Sequence, residues 1–263
     1  MITLEFSELW KGPFSDRGFR TFDDFFDSPS LSFFMGNSRR DVMVLDIDID
    51  GGPRRFFVKR FYHSHLKDML FTKLNFGSFC SLAECEWKNI NTLLKNGIDT
   101  YRPVCFGADI KGGFERKSFI VTEQLAGTPL STFAGAHWRG LDPEKKKDLM
   151  SSLGSFVRKI HQAGIGMPDL FLWHIYLKDL SKDHEFAIID LHRMKINTNS
   201  RREQMRNLGA LQFSMLDEYF TEEDRDVFFS SYASDTPKRI ESIRRGAGRR
   251  CRALRKRRHK PKY

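Results

Sequence analysis

Residues 161 to 190, HQAGIGMPDLFLWHIYLKDLSKDHEFAIID, constrain the fold more than any other stretch of the chain. They set two carboxylates and a histidine around a predicted hairpin. Asp169 lies on the incoming loop, His174 follows five positions later, and Asp190 ends the short apolar strand FAIID, where the chain leaves its sheet. Taken singly these residues mean little, because an aspartate in a loop is most often a turn or capping residue. Together they suit a site in which one carboxylate orients a proton and the other holds a cation. That reading requires a phosphate-binding lysine and its carboxylate partner upstream.

Both are present. From Asp41, DVMVLDIDI alternates with period two, DGGP carries turn chemistry, and RRFFVKRFY resumes as a strand, which predicts a hairpin. Lys59 lies within the second strand, flanked by Phe57, Val58 and Phe61. On an exposed face such a lysine needs no explanation, but within an apolar strand it requires an anionic partner or ligand. Residues 81–96 read as a helix stopped by Gly97. At about 100° per residue, Ala83, Ile90, Leu93 and Leu94 define its apolar face. Glu86 falls on the edge of that face, whereas Glu84 falls with Lys88, Asn91 and Lys95 on the polar side. Glu86 is therefore the expected partner of Lys59, against the competing reading of a surface helix charge. Ahead of the hairpin, MGNSRR places Gly36, Asn37 and Ser38 in a turn suited to covering a phosphate, on the strength of a single glycine.

Two further strands follow, YRPVCFG and KSFIVTEQL, the second leading into the connection AGTPLSTFAG. Backbone groups from Glu123 to Leu125 are placed to hydrogen-bond an adenine edge. Asp142 and Pro143 then start a helix whose apolar Leu149, Leu153, Phe156, Val157 and Ile160 recur on one face, and Gly164 ends it just before Asp169. His161, in its last turn, reads as a structural or dipole-complementing residue.

Length bounds the architecture: 263 residues suit one two-lobed unit with ample material for a core. The 25 phenylalanines are concentrated early, and residues 1–35 are expected to pack on the first lobe as short helices. No run of roughly eighteen apolar residues exists, so no membrane span is expected. MITLEFSELWKG carries acids where an export signal needs a basic start and an apolar core, which points to a cytoplasmic protein. Cys80, Cys85, Cys105 and Cys251 show neither disulfide-framework density nor paired metal-ligand spacing. The net charge of +10 is local. Eleven of the 44 basic residues fall between Arg244 and Lys262 with no acid among them, leaving 33 basic against 34 acidic residues elsewhere. A block of this kind is expected to be disordered in isolation and to meet anionic lipid, a phosphorylated glycan or nucleic acid, the last being disfavoured. A solvated tail without a specific partner is the alternative.

The order of parts is strand lysine, helix glutamate, connection, helix, loop aspartate, hairpin and strand-end aspartate, which is the protein-kinase-like order. It implies an α+β, two-lobed fold: an N-terminal lobe over 1–125 with an antiparallel sheet and a helix, a mainly helical catalytic lobe over 126–243, and a basic tail over 244–263. The segments CEWKNINTLLKNGIDTYRPVCFG, SFIVTEQL, KIHQAGIGMPDLFLWHIYL and FAIIDLHRM resemble the bacterial lipopolysaccharide core kinases, which phosphorylate heptose or Kdo sugars with ATP, over about Phe22 to Tyr232. The resemblance implies ATP and Mg²⁺ as cofactors. It assigns the phosphate role to Lys59, its partner role to Glu86, the base role to Asp169 and the metal role to Asp190. It also implies a core glycolipid as acceptor and a peripheral place on the inner membrane, reached through the basic tail. Departures from the protein-kinase pattern are Met167-Pro168 before Asp169, Leu191-His192-Arg193 after Asp190, and His174 where a metal-binding asparagine is usual. The last two look like the sugar kinases, which usually have a basic or polar lead-in where this chain has Met167-Pro168. Since Mg²⁺ prefers oxygen, His174 is expected to act through hydrogen bonds rather than as a ligand. A kinase-like enzyme acting on a protein or small metabolite, and a catalytically silent binding protein, are the other readings.

Overall fold

The computed structural model describes residues 1–49, 51–62, 66–179, 184–257, 261 and 263. They form two compact units, one of residues 1–95 and 100–125, the other of residues 96–99 and 126–263.

The first unit contains, in chain order, β1 (Ile2–Phe6), α1 (Glu8–Ser15), α2 (Phe22–Phe26), β2 (Ser32–Asn37), β3 (Arg40–Ile49), β4 (Gly52–Tyr62), α3 (Leu66–Phe76), α4 (Leu82–Lys95), β5 (Pro103–Lys111) and β6 (Phe114–Glu123). Its six strands form one sheet in the order β1-β5-β6-β4-β3-β2, with antiparallel pairing throughout. The phenylalanine bias is explained by one cluster: Trp10, Phe14, Phe19, Phe22, Phe25 and Phe26 pack with Leu45, Phe56, Val58, Phe119 and Val121 from the sheet. Their rings meet edge-on or offset at centroid distances of 5.0–6.0 Å, the arrangement aromatic quadrupoles favour. The N-terminal segment thus supplies the short helices expected, and in addition the edge strand β1, which the sequence reading did not foresee. Nor did it foresee α3. At the expected turn over 50–53, Asp50 lies outside the described residues, while Gly51 has φ +82°.

The second unit contains β7 (Thr128–Pro129), α5 (Leu130–His137), α6 (Pro143–Gln162), β8 (Ile175–Asp179), β9 (Glu185–Ile188), α7 (Arg201–Ser214), α8 (Glu222–Tyr232) and α9 (Ile240–Arg255). The strands form a small antiparallel sheet, β7-β8-β9. The turn of the β8–β9 hairpin, residues 180–183, lies outside the described residues. At the C-terminal end of α6, Gly164 takes φ +69°, with Gly164 N donating to His161 O and Ile165 N to Ile160 O. Residues 126–243 do not stand apart from 244–263. The tail expected to be disordered is, as far as Arg255, helical.

The correction has a clear cause. Ile243, Ala247, Cys251 and Leu254 recur at helical spacing and are buried on α7, and α7 and α9 cross closely. A Cβ at Gly209 would lie 2.5 Å from the Arg250 Cβ, and one at Gly246 would lie 2.7 Å from the Met205 sulfur. Asp226 and Asp217 neutralise Arg244 and Arg255. Counting the tail's charges concealed this apolar stripe. Residues 258–260 and 262 lie outside the described residues.

Candidate active site

The charged residues singled out in the sequence fall into two sets, one in each unit. In the first unit, Lys59 pairs in register with Val42 and Ile120 in the body of the sheet. Its Nζ donates to Glu86 Oε2 at 2.8 Å and to Oε1 at 3.1 Å. The Glu86 side chain is only 3% exposed, so its carboxylate must be satisfied internally. Tyr101 completes the set, its hydroxyl donating to Glu86 Oε1 at 2.5 Å. Glu84 instead bridges to Lys88 on the outer face, at 2.7 Å and i,i+4 spacing. α4 is aimed by its N-terminus: Glu115 Oε2 accepts from the Leu82 amide at 3.0 Å, and Ser81 Oγ accepts from the Glu84 amide at 3.1 Å. A carboxylate there also favours the positive end of the helix dipole.

Gly36, Asn37 and Ser38 lie at the tip of the β2–β3 hairpin. Asn37 and Arg40 pair across a two-residue loop, and Asn37 Oδ1 accepts from the amides of Arg39 (3.0 Å) and Arg40 (3.3 Å). A side chain at Gly36 would meet the Asp41 Cα at 2.5 Å, so this close approach demands glycine. All six residues of β2 are exposed. At the end of the first unit, the Glu123 amide donates to Arg102 O and the Gln124 amide to Arg55 O. The Glu123 carboxylate accepts from the Trp10 indole at 3.0 Å, and Leu125 is half-buried.

In the second unit, His174 lies between Asp169 and Asp190. Its Nδ1 lies 2.8 Å from the Asp169 carbonyl, which can only accept, so Nδ1 carries the proton. The opposite nitrogen, Nε2, lies 3.7 Å from Asp190 Oδ2. His192 Nδ1 donates to Asp190 Oδ1 at 2.8 Å, and Arg193 donates to Asp169 Oδ2 at 3.2 Å. Asp190 has φ +62°, a left-handed conformation a non-glycine residue adopts only when its surroundings impose it. Those surroundings are a β8–β9 frame in which the Ile189 amide donates to His174 O, and a two-way bridge between Gly166 and Lys195 at 2.9 Å each way.

The loop bearing Asp169 is held from below by α7. Asn207 is fully buried, and its Oδ1 accepts from the Met167 amide at 2.7 Å. The same oxygen lies 3.1 Å from His161 Nε2, which must therefore carry a proton, leaving Nδ1 to accept from the Tyr232 hydroxyl at 2.8 Å. Both nitrogens of a neutral imidazole are thus satisfied, and burial pushes the His161 pKa down to about 4. His161 is structural, and as a neutral ring it does not complement the helix dipole by charge. Met167 itself is buried, so the unusual lead-in to Asp169 is positioned through its backbone and not through a polar side chain.

Asp190 could contribute one carboxylate to a Mg²⁺ that is otherwise held by substrate phosphates and water. Among the described residues no group of three or more His, Cys, Asp or Glu side chains is arranged to hold a metal ion by itself. Mg²⁺ is commonly held by one or two carboxylates together with substrate phosphates, and Asp190 is the carboxylate fixed in a strained, frame-imposed conformation. The sequence reading missed Tyr101, Asn207, His192 and Arg193. Asn207 carried a usable signal, a polar residue in helical phase with Ala210, Leu211 and Ser214 on the inward face of α7. Tyr101 and Arg193 become visible only once separate segments are brought together, whereas His192 lies two positions after Asp190, within the local window.

The chain matches the model of the lipopolysaccharide kinase (Kdo/WaaP) family over residues 31–232. It is 27% identical over 256 residues to the lipopolysaccharide core heptose(I) kinase WaaP of Escherichia coli, covering 92% of each chain. It is 32% identical over 157 residues to the protein of the same name from Pseudomonas aeruginosa, covering 57% of this chain and 59% of that one. A solved structure of WaaP in complex with acyl carrier protein is similar with a TM-score of 0.68 and 26% identity, covering 97% of this chain and 98% of that one.

Proposed function

The chain belongs to the lipopolysaccharide kinase (Kdo/WaaP) family, and on that footing we propose that it transfers the γ-phosphate of ATP to a heptose hydroxyl of the lipopolysaccharide inner core, with Mg²⁺. Lys59 holds the nucleotide phosphates, and Glu86 with Tyr101 aims its ammonium. The turn at Gly36, Asn37 and Ser38 covers the phosphates with backbone amides, and the backbone near Glu123 and Leu125 receives the adenine. Asp169 orients the sugar hydroxyl and takes its proton. Asp190 holds the metal, which when bound offsets the charge of the phosphates. His174 positions the Asp169 loop through the hydrogen bond from Nδ1 to the Asp169 carbonyl, and its Nε2 faces Asp190.

The observation that carries this reading is the Lys59–Glu86 pair at 2.8 Å in a chain whose second unit sets Asp169 and Asp190 on either side of His174. A lysine aimed by a buried carboxylate suits phosphate binding, and Asp169 and Asp190 add the base and the metal carboxylate that transfer, unlike binding alone, calls for. The acceptor is bound at an anionic membrane surface. Among the described residues no helix is long and apolar enough to cross a membrane, and α9 with the residue that caps it presents Arg245, Arg249, Arg252 and Lys256 along one exposed line. Each basic residue near such a surface contributes about 1 kcal/mol or less, screened by salt. The test is mass spectrometry of core glycolipid from cells with and without the protein. Loss of one phosphate from heptose supports the reading; an unchanged glycolipid rejects it.

A further inference from the structure

We propose that Arg193 is a catalytic residue, supplying the positive charge that stabilises the phosphoryl group in transfer. This rests on the reading of Asp169 as the base. The loop that carries Asp169 brings no cation of its own: from Asp169 to His174 it reads DLFLWH, and Leu170, Phe171 and Leu172 are buried as packing residues. The basic group beside Asp169 arrives from 24 residues further along, where Arg193 Nη1 donates to Asp169 Oδ2 at 3.2 Å. Lys195, two positions on, is committed elsewhere, to Glu203 at 2.9 Å.

Three features argue that this contact is more than a surface ion pair. The first is geometry: Arg193 uses one nitrogen on one carboxylate oxygen, so a guanidinium with five N–H donors keeps others for a second anion. The second is placement. The Asp169 side chain is 15% exposed and that of Arg193 58%, which sets the guanidinium on the solvent side of the carboxylate, where an acceptor hydroxyl and a phosphate must approach. The third is anchorage. Arg193 sits between the strained Asp190 and the two-way Gly166–Lys195 bridge, with Met194 N closing a turn onto Leu191 O at 3.0 Å. An exposed pair on a mobile segment contributes little, whereas a guanidinium held at both flanks is pre-organised.

In the step itself the acceptor oxygen forms a bond to the γ-phosphorus and the bond from that phosphorus to the bridging oxygen of ADP breaks. The hydroxyl proton passes to Asp169, and ADP leaves with the bridging electron pair. The three remaining oxygens of the phosphoryl group carry negative charge throughout. Arg193, already touching the base, donates to one of them while holding Asp169 toward the hydroxyl.

The test uses the full chain with Arg193→Ala, Arg193→Lys and Asp169→Asn. Turnover is measured on core glycolipid, and calorimetry measures Mg·ADP binding with and without aluminium fluoride, which mimics the transferring phosphoryl group. Loss of one such donor is expected to lower kcat of Arg193→Ala by about 100-fold with little change in either KM, and Arg193→Lys should recover part of it. The fluoride-dependent tightening of Mg·ADP should be present in wild type and lost in Arg193→Ala, while binding of Mg·ADP alone is unchanged. If Arg193→Ala keeps wild-type kcat and fluoride response while Asp169→Asn is inactive, the role of Arg193 is overturned and the base reading stands. A raised acceptor KM with kcat intact overturns it equally. An active Asp169→Asn would instead sink the reading on which the inference rests. Melting temperatures, and the lysine variant should the alanine variant not fold, separate chemistry from stability.

Discussion

Asn207→Ala should damage the protein more than its small size suggests. The Asn207 side chain is fully buried, and its Oδ1 satisfies two donors at once, the Met167 amide at 2.7 Å and His161 Nε2 at 3.1 Å. Its amide makes only a long contact to Glu203, 3.5 Å, which adds little. Truncation leaves two buried N–H groups without partners, each costing about 1–3 kcal/mol, so the variant should lose roughly 2–6 kcal/mol of stability. Tyr232→Phe is the informative control. It removes one donor from His161 Nδ1 and orphans only an acceptor, for about 0.5–1.5 kcal/mol. Urea denaturation should show a lower midpoint with unchanged slope for both variants, in that order of severity. Because Met167 lies two residues before Asp169, Asn207→Ala should also lose turnover under conditions where it is folded. A loss below about 1 kcal/mol, or equal losses in the two variants, would refute the claim that one oxygen holds the loop.

Other outcomes follow from the same contacts. Glu86→Ala should lower turnover by about tenfold or more, and Lys59→Ala by two or more decades, about 2.7 kcal/mol of barrier; Glu84→Ala should have almost no effect, and steady-state kinetics that place Glu84 beside Glu86 would overturn the helix phase. His161 is neutral when folded, with a pKa near 4 against an ordinary 6.5. The unfolded chain therefore binds the proton first as pH falls. The stability this group contributes is complete above pH 6.5 and is lost toward pH 4, up to roughly 3 kcal/mol, and denaturation of His161→Gln should show a shallower dependence over that window. Reversing Arg245, Arg249, Arg252 and Lys256 to glutamate should weaken binding to anionic vesicles at low salt without unfolding α9, whose buried face is untouched; vesicle co-sedimentation equal to wild type would remove the membrane role.

What the sequence disclosed followed from periodicity acting on strong local patterns. The hairpin of β3 and β4 and the inward phase of Glu86 on α4 were legible because alternation and the 100° helical step sort residues by face without knowledge of their partners. The same step was present in α9, as Ile243, Ala247, Cys251 and Leu254, but four apolar residues beside and among the arginines and lysines of 244–262 read as part of a polar block. The helix is held by its fit to α7 and by Asp226 and Asp217, which no local window includes. Strand β1 is a similar case, since its pairing with β5 joins Ile2 to Asp109. Within the site, Asp169 and Asp190 stood out by their places at the ends of elements. Arg193 and Tyr101 gain meaning only from contacts spanning 24 and 15 residues.

The most direct measurement is transfer of labelled γ-phosphate from ATP to purified heptose-bearing core glycolipid that lacks the phosphate, comparing wild type with Asp190→Ala in the presence of Mg²⁺. The account predicts label on a heptose hydroxyl with the wild-type protein and a rate at least two decades lower in the variant, at least about 2.7 kcal/mol of barrier. Label transfer by Asp190→Ala at the wild-type rate, or no transfer by the wild-type protein to any inner-core sugar, would contradict it.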